Sequence, residues 1–150
     1  SQESWDSEIY FSDNGKLNAI LFADHLQVFE DEKETILEGV KVNFYNENGV
    51  NNSVLTSKRG RVDDLSKDLY AIDSVVAVSD SGVTLKTDEL IWRSSKGKVY
   101  SDKFVRIISK TEIIDGYGFE SDQSLNNYVI YDIIYTANID EIKNKWNYID

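Results

Sequence analysis

A chain of 150 residues, 41% hydrophobic and 29% charged, is long enough to bury a core and too apolar to stay disordered over most of its length. Its net charge of −11 argues against nucleic acid, whose phosphates are held by clustered Lys and Arg, and against simple electrostatic docking on an anionic membrane. Without Cys there are no disulfides or thiolate metal sites, and without Pro the tight turns fall to Gly, Asn, Asp and Ser.

Period-two alternation dominates the chain from its start. The first turn signal is Asp13-Asn14-Gly15, which lacks the alternating Asp/Asn ligands of a calcium loop. The acidic run Glu30-Asp31-Glu32-Lys33-Glu34 reads as a solvated hairpin tip. In Val40-Lys41-Val42-Asn43-Phe44-Tyr45 the even positions are apolar, as in a half-buried strand. The Asn46–Gly49 turn follows, then the compact basic cluster Lys58, Arg59 and Arg61, read as a charged strand edge that resists aggregation. Tyr70, Ile72, Val76 and Val78 share one parity, interrupted by Ser74. Further turns fall at Ser79-Asp80-Ser81-Gly82 and Ser94-Ser95-Lys96-Gly97. Gly116-Tyr117-Gly118-Phe119 marks a bend or close backbone approach within a sheet, and Tyr128 to Tyr135 is apolar on both parities. In the tail, Ile139, Ile142, Trp146 and Ile149 have the spacing of a short helix.

A two-strand phrase recurs. Leu21, Leu55 and Leu85 each precede a polar stretch, a turn and another strand, and they lie 34 and 30 residues apart. Leu69-Tyr70-Ala71 matches Val99-Tyr100-Ser101, again 30 residues on. Periods of about 20–50 residues mark stacked architectures. The expectation is one all-β domain over 1–150, with its core at about 6–132 and an extension over 133–150.

Chemistry is scarce. His25 is the only histidine, with no Ser or Cys motif pointing to it, so it reads as a polar strand residue. Asp63-Asp64 and Asp88-Glu89 are adjacent pairs, and adjacent strand residues face opposite ways, so neither makes a hydrolytic dyad alone. No catalytic residue, metal site or cofactor is expected. No window holds the roughly 18 apolar residues of a membrane span and no signal peptide is visible. The missing start Met suggests a processed or trimmed N-terminus.

Three motifs carry a resemblance. Gly82-x-x-Leu85-x-Thr87-Asp88-x-Leu90-x-Trp92 is followed by Gly97-Lys98-Val99-Tyr100-Ser101-Asp102 with Phe104-Val105, and then by Gly116-Tyr117-Gly118-Phe119-Glu120-Ser121-Asp122 with Leu125. Together they closely resemble the LptC family of lipopolysaccharide-export proteins, over roughly residues 2 to 131. Gln2-Glu3-Ser4-Trp5, Ala23-Asp24-His25-Leu26 and the Gly39 to Phe44 stretch resemble its Bacteroidetes-type members. The resemblance implies an OstA-like β-jellyroll of two antiparallel sheets, built from stacked two-strand repeats and open along one side. It implies a non-enzymatic carrier that takes lipopolysaccharide acyl chains from an inner-membrane ABC transporter and passes them to the next jellyroll of a periplasmic bridge. Edge-strand pairing would join the jellyrolls and also permits edge-to-edge self-association. Localisation would be periplasmic, with an inner-membrane anchor through an N-terminal segment that this chain does not contain. Candidate groove-lining residues are Leu21, Val40, Val42, Phe44, Val76, Val78, Leu90, Trp92, Phe104 and Tyr117. Ordinary core packing explains each of them as well. The rival expectations are a structural or adhesive β-domain with a closed core, and a carbohydrate-active enzyme with two carboxylates brought together in a cleft.

Overall fold

The computed structural model describes residues 2–139, and the helix expected over 139–149 lies outside them apart from Ile139. Nine strands follow one another: β1 (Gln2–Asp13), β2 (Lys16–Phe29), β3 (Glu34–Tyr45), β4 (Asn51–Asp63), β5 (Leu69–Ser79), β6 (Thr84–Arg93), β7 (Lys98–Ile108), β8 (Glu112–Asp122) and β9 (Tyr128–Asn138). All pair antiparallel with their sequence neighbours, in the order β1 to β9. The four Gly- and Asn-rich turn signals fall between strands, where residues such as Asn14 (φ 52°) and Gly49 (φ 77°) take left-handed backbone.

The expected two sheets are two halves of this single sheet. Near the middle of each strand the ladder is interrupted. The residues left out of the ladder include Asp6, Asp24, Gly39, Lys58, Asp73-Ser74, Asp102-Lys103 and Gly118. Several have positive φ: Asp6 (50°), Gly39 (66°), Asp73 (66°), Ser74 (52°) and Gly118 (80°). From β4 to β8 neighbouring strands slip by one residue here, as β-bulges that bend a strand and raise its twist, whereas between β1, β2, β3 and β4 the unpaired residues face each other and the register is kept. Aligned across the sheet they make a crease, and the sheet folds along it.

A single irregular residue within a strand also switches which parity faces inward. In β2, Ala19, Leu21 and Ala23 are buried before Asp24, whereas Leu26 packs on the core after it. In β3 the buried set changes from Leu37 to Val40, Val42 and Phe44 across Gly39. Folding brings the two arms of the strands face to face. Phe11 of β1 and Phe44 of β3 pack edge-on against Trp92 of β6, with ring centroids 4.8 and 5.1 Å away, although these strands are not neighbours in the sheet.

The recurring phrase has a structural meaning. Ile9, Leu21, Val42, Leu55, Ala77, Leu85, Ile107 and Ile114 are successive register partners and form one transverse row of the interior. A second row runs through Val62, Leu69, Trp92 and Val99. Leu69 and Val99 thus flank Trp92 from both sides, which is why their surroundings in sequence match. The strand β9 continues to Asn138, with Val129, Tyr131, Ile133, Ile134 and Tyr135 exposed.

Candidate binding cleft

Opposite the crease, the turns of the two layers meet along a seam. Part of the seam is tied shut. The Ser53 hydroxyl donates to the Gln123 carbonyl (2.7 Å), the Asn52 amide donates to Ser124 Oγ (2.8 Å), and the Trp92 indole N–H donates to Gln123 Oε1 (3.1 Å). Asn52 Oδ1 is buried without a protein donor.

Towards β1 the seam is open. A cleft of about 890 Å³ runs between the part of β1 beyond Asp6, with Asn18 of β2, on one layer and Val28 of β2, Thr35 of β3 and Val62 of β4 on the other. Ile9, Phe11, Val28 and Val62 supply its apolar surface, and Asp13, Asn18, Lys67, Ser94 and Ser95 its polar margin. A second, more polar cleft of about 560 Å³ adjoins it between the β1–β2, β3–β4, β6–β7 and β8–β9 turns. The sequence reading missed this site because Ile9 and Phe11 sit on a short alternating stretch outside the recurring phrase. Their one signal is the alternation of apolar Ile9 and Phe11 with Glu8 and Tyr10.

The candidate lining residues divide. Leu21, Val40, Val42, Phe44, Leu90 and Trp92 face the interior and are buried. Val78 (44% exposed), Phe104 (40%) and Tyr117 (48%) lie on the outer face, and Val76 is on that face too. In β5 the inward residues are Leu69, Ala71, Val75 and Ala77, so the bulkier set that shared a parity points outward. Phe104 and Tyr117 pack edge-on outside, 5.7 Å apart, and Phe104, Val76, Lys86 and Arg106 border a shallow depression there.

Several polar groups singled out in the sequence have structural partners. His25 Nε2 lies 2.8 Å from Glu3 Oε1, and its ring tilts against Trp5. In the basic cluster, Arg59 pairs with Asp73 (2.8 Å), while Arg61 pairs with Glu34 (3.8 Å) and covers the Tyr70 ring. Asp63 accepts the Ser66 and Leu65 amide protons, which hold its carboxyl below the usual range. Asp64 accepts from the Thr35 hydroxyl. These two carboxylates cap a turn and anchor a strand, and no cleft dyad forms from them. Among the described residues no group of three or more His, Cys, Asp or Glu side chains is placed to hold a metal ion.

One ion pair makes the fold pH-dependent. Arg106 Nε and Nη2 donate to the two oxygens of the mostly buried Asp115, at 2.7 and 2.8 Å. The guanidinium lowers the Asp115 pKa, against the opposing effect of burial. A depressed carboxyl stabilises above its unfolded pKa of about 3.9, and the contribution is lost as pH falls through the folded value. Asp115→Asn should therefore lower Tm at neutral pH and differ progressively less from the parent as acid is added. A constant Tm difference down to about pH 2.5 would contradict this.

Residues 7–136 match the family described as "Lipopolysaccharide-assembly, LptC-related". Among curated proteins none matches the chain. Among solved structures, the fold is similar to that of LptH from Pseudomonas aeruginosa, described as the LptA homologous periplasmic component of the lipopolysaccharide transport device. The TM-score is 0.59 at 10% identity, covering 76% of this chain and 82% of that one. A jellyroll built of two-strand units, creased by aligned bulges and left open on one side, thus coincides with a family match over nearly the whole sheet, and the chain belongs to the LptC-related family of lipopolysaccharide-assembly proteins, which serve lipopolysaccharide transport and are not enzymes.

Proposed function

We propose that the protein is a periplasmic carrier that shelters lipopolysaccharide acyl chains between its two layers and hands them on. The observation that carries this reading is the open cleft at the β1 side, with Ile9, Phe11, Val28 and Val62 on its walls. Its volume lies within the usual range for small-molecule sites, about 300–1,000 Å³. Each methylene withdrawn from water gains about 0.8 kcal/mol, so ten methylenes gain about 8 kcal/mol without any fixed pocket shape. Leu21, Val40, Val42, Phe44, Leu90 and Trp92 lie behind these walls, and a chain reaches them as the layers part.

The hand-off uses the sheet edges. Among the described residues, strands β1 and β9 each have one neighbour in the sheet. A further jellyroll can add its own edge strand by backbone hydrogen bonding, and an inner-membrane ABC transporter would load the chain from the other end. The exposed apolar residues of β9 suit such a contact better than solvent. An N-terminal membrane anchor belongs to the same reading.

A photo-crosslinking residue at Ile9, Phe11 or Val62 should capture lipopolysaccharide in a reconstituted transporter, and one at Val78 on the outer face should not. The closed-core alternative draws on the dense packing around Trp92. It would prevail if no cleft position gave an adduct, or if Val78 labelled equally.

A further inference from the structure

The polar cleft beside the apolar one is not needed to shelter acyl chains, yet the two are continuous, sharing Asp13, Asn18, Ser94 and Ser95. We propose that this mouth is a second subsite that holds the phosphorylated sugar head of the lipid, with Lys16, Lys67 and Lys96 as its cations. The proposal rests on the lipid reading above, because the chains in the apolar cleft are what bring the head to the mouth.

Charge placement is the first argument. The chain as a whole carries −11. The two clefts together are lined by Lys16, Lys67 and Lys96 and by three carboxylates, Asp13, Glu47 and Asp64, which balance. Among the described residues the excess of negative charge therefore lies outside the two clefts. A phosphate approaching this protein meets net repulsion over the body and none at the mouth.

Availability is the second argument. All four arginines are paired, Arg59 with Asp73, Arg61 with Glu34, Arg93 with Asp68 and Arg106 with Asp115. Among the described residues Lys16, Lys67 and Lys96 form no direct ion pair, and Lys96 acts on the Glu120 carboxyl only at longer range. An ammonium is a compact point charge that can follow a phosphate in several poses, which suits a ligand in transit.

Position is the third argument. Lys67 lies in the β4–β5 turn and Lys96 in the β6–β7 turn. These turns are pinned together by the Ser94 hydroxyl on the Lys67 carbonyl (2.8 Å) and by the Arg93–Asp68 ion pair (2.7 Å). Lys16 follows the β1–β2 turn on the opposite layer. Cations thus stand on both sides of the seam, where a head group with its chains inside must emerge.

The test measures binding of detergent-dispersed lipid A in bisphosphoryl, monophosphoryl and dephosphorylated forms. The parent should prefer the bisphosphoryl form over the dephosphorylated one by about tenfold at low salt, the scale of three exposed ion pairs, and the preference should shrink with added salt. The triple variant Lys16→Gln, Lys67→Gln, Lys96→Gln should lose the preference and keep its affinity for the dephosphorylated form. The control triple Lys41→Gln, Lys86→Gln, Lys110→Gln makes the same change in net charge and should keep it. Inorganic phosphate should compete no better than chloride at equal ionic strength; if it abolishes the preference, the mouth is a free-anion site and the assignment to a lipid head falls. The proposal is also overturned if the parent binds all three forms equally, or if both triples behave alike. Failure of every form to bind the parent would overturn the acyl-chain reading itself.

Discussion

Replacing Trp92 by alanine is expected to destabilise the fold by about 3–5 kcal/mol, measured by urea unfolding. Trp92 is fully buried and receives Phe11 and Phe44 edge-on from the facing layer. Each such aromatic pair contributes about 0.5–1.5 kcal/mol beyond the buried area. Its indole N–H also ties the β8–β9 turn through Gln123. Truncation removes both effects and leaves a void between the layers. Trp92→Phe should lose much less, because it keeps an aromatic ring in place and gives up mainly one hydrogen bond, about 1 kcal/mol. Similar losses for the two variants would mean that the hydrogen bond, and not ring packing, holds the layers together.

Gly116→Val should detach β9. A Cβ at Gly116 would lie 2.6 Å from the Asp132 carbonyl oxygen and 2.6 Å from Ile130 Cγ2, both on β9. Backbone cannot yield as a flexible side chain does, so the strand must move. Overpacking of this kind costs about 1–3 kcal/mol. The signature is local: amide exchange should accelerate along β9, while the strands around Leu55 and Leu85 stay protected. Unchanged exchange in β9 would show that the strand tolerates the added methyl groups. The same contact explains why two glycines flank Tyr117. Gly116 permits the close approach of β9, and Gly118 takes the positive φ at the crease.

The strands and turns were legible because alternation and Gly/Asn signals are local. Asn46–Gly49 and Ser79–Gly82 lie where sequence placed them. The two-strand phrase was legible too, since residues in equivalent rows meet equivalent neighbours. Facing was harder to read. Tyr70, Ile72, Val76 and Val78 form the bulkier apolar set of β5, yet they are the outer set, because Ala71 and Ala77 occupy the interior. Phe104 and Tyr117 follow the bulges at Asp102-Lys103 and precede Gly118, where the register slips. A bulge depends on how two strands pair, so one strand read alone does not reveal it. Nor does the cleft announce itself. Phe11, Val28 and Val62 come from three strands, and only the folding of the sheet about its crease brings them together.

The strict neighbour order of the sheet has a consequence for how the chain assembles. Among the described residues no ladder skips a strand, so each new strand finds its partner in the one made just before it. Hairpins close in about 1–10 μs, and local pairings favour fast folding. A chain emerging N-terminus first can therefore zip strand onto strand with no long wait for a distant partner. The contact that closes the layers is of another kind. Trp92 must meet Phe11 across about 80 residues of chain. Ladder growth and layer closure are thereby separate events, and the β1 edge and the apolar inner face stay accessible until the sixth strand arrives.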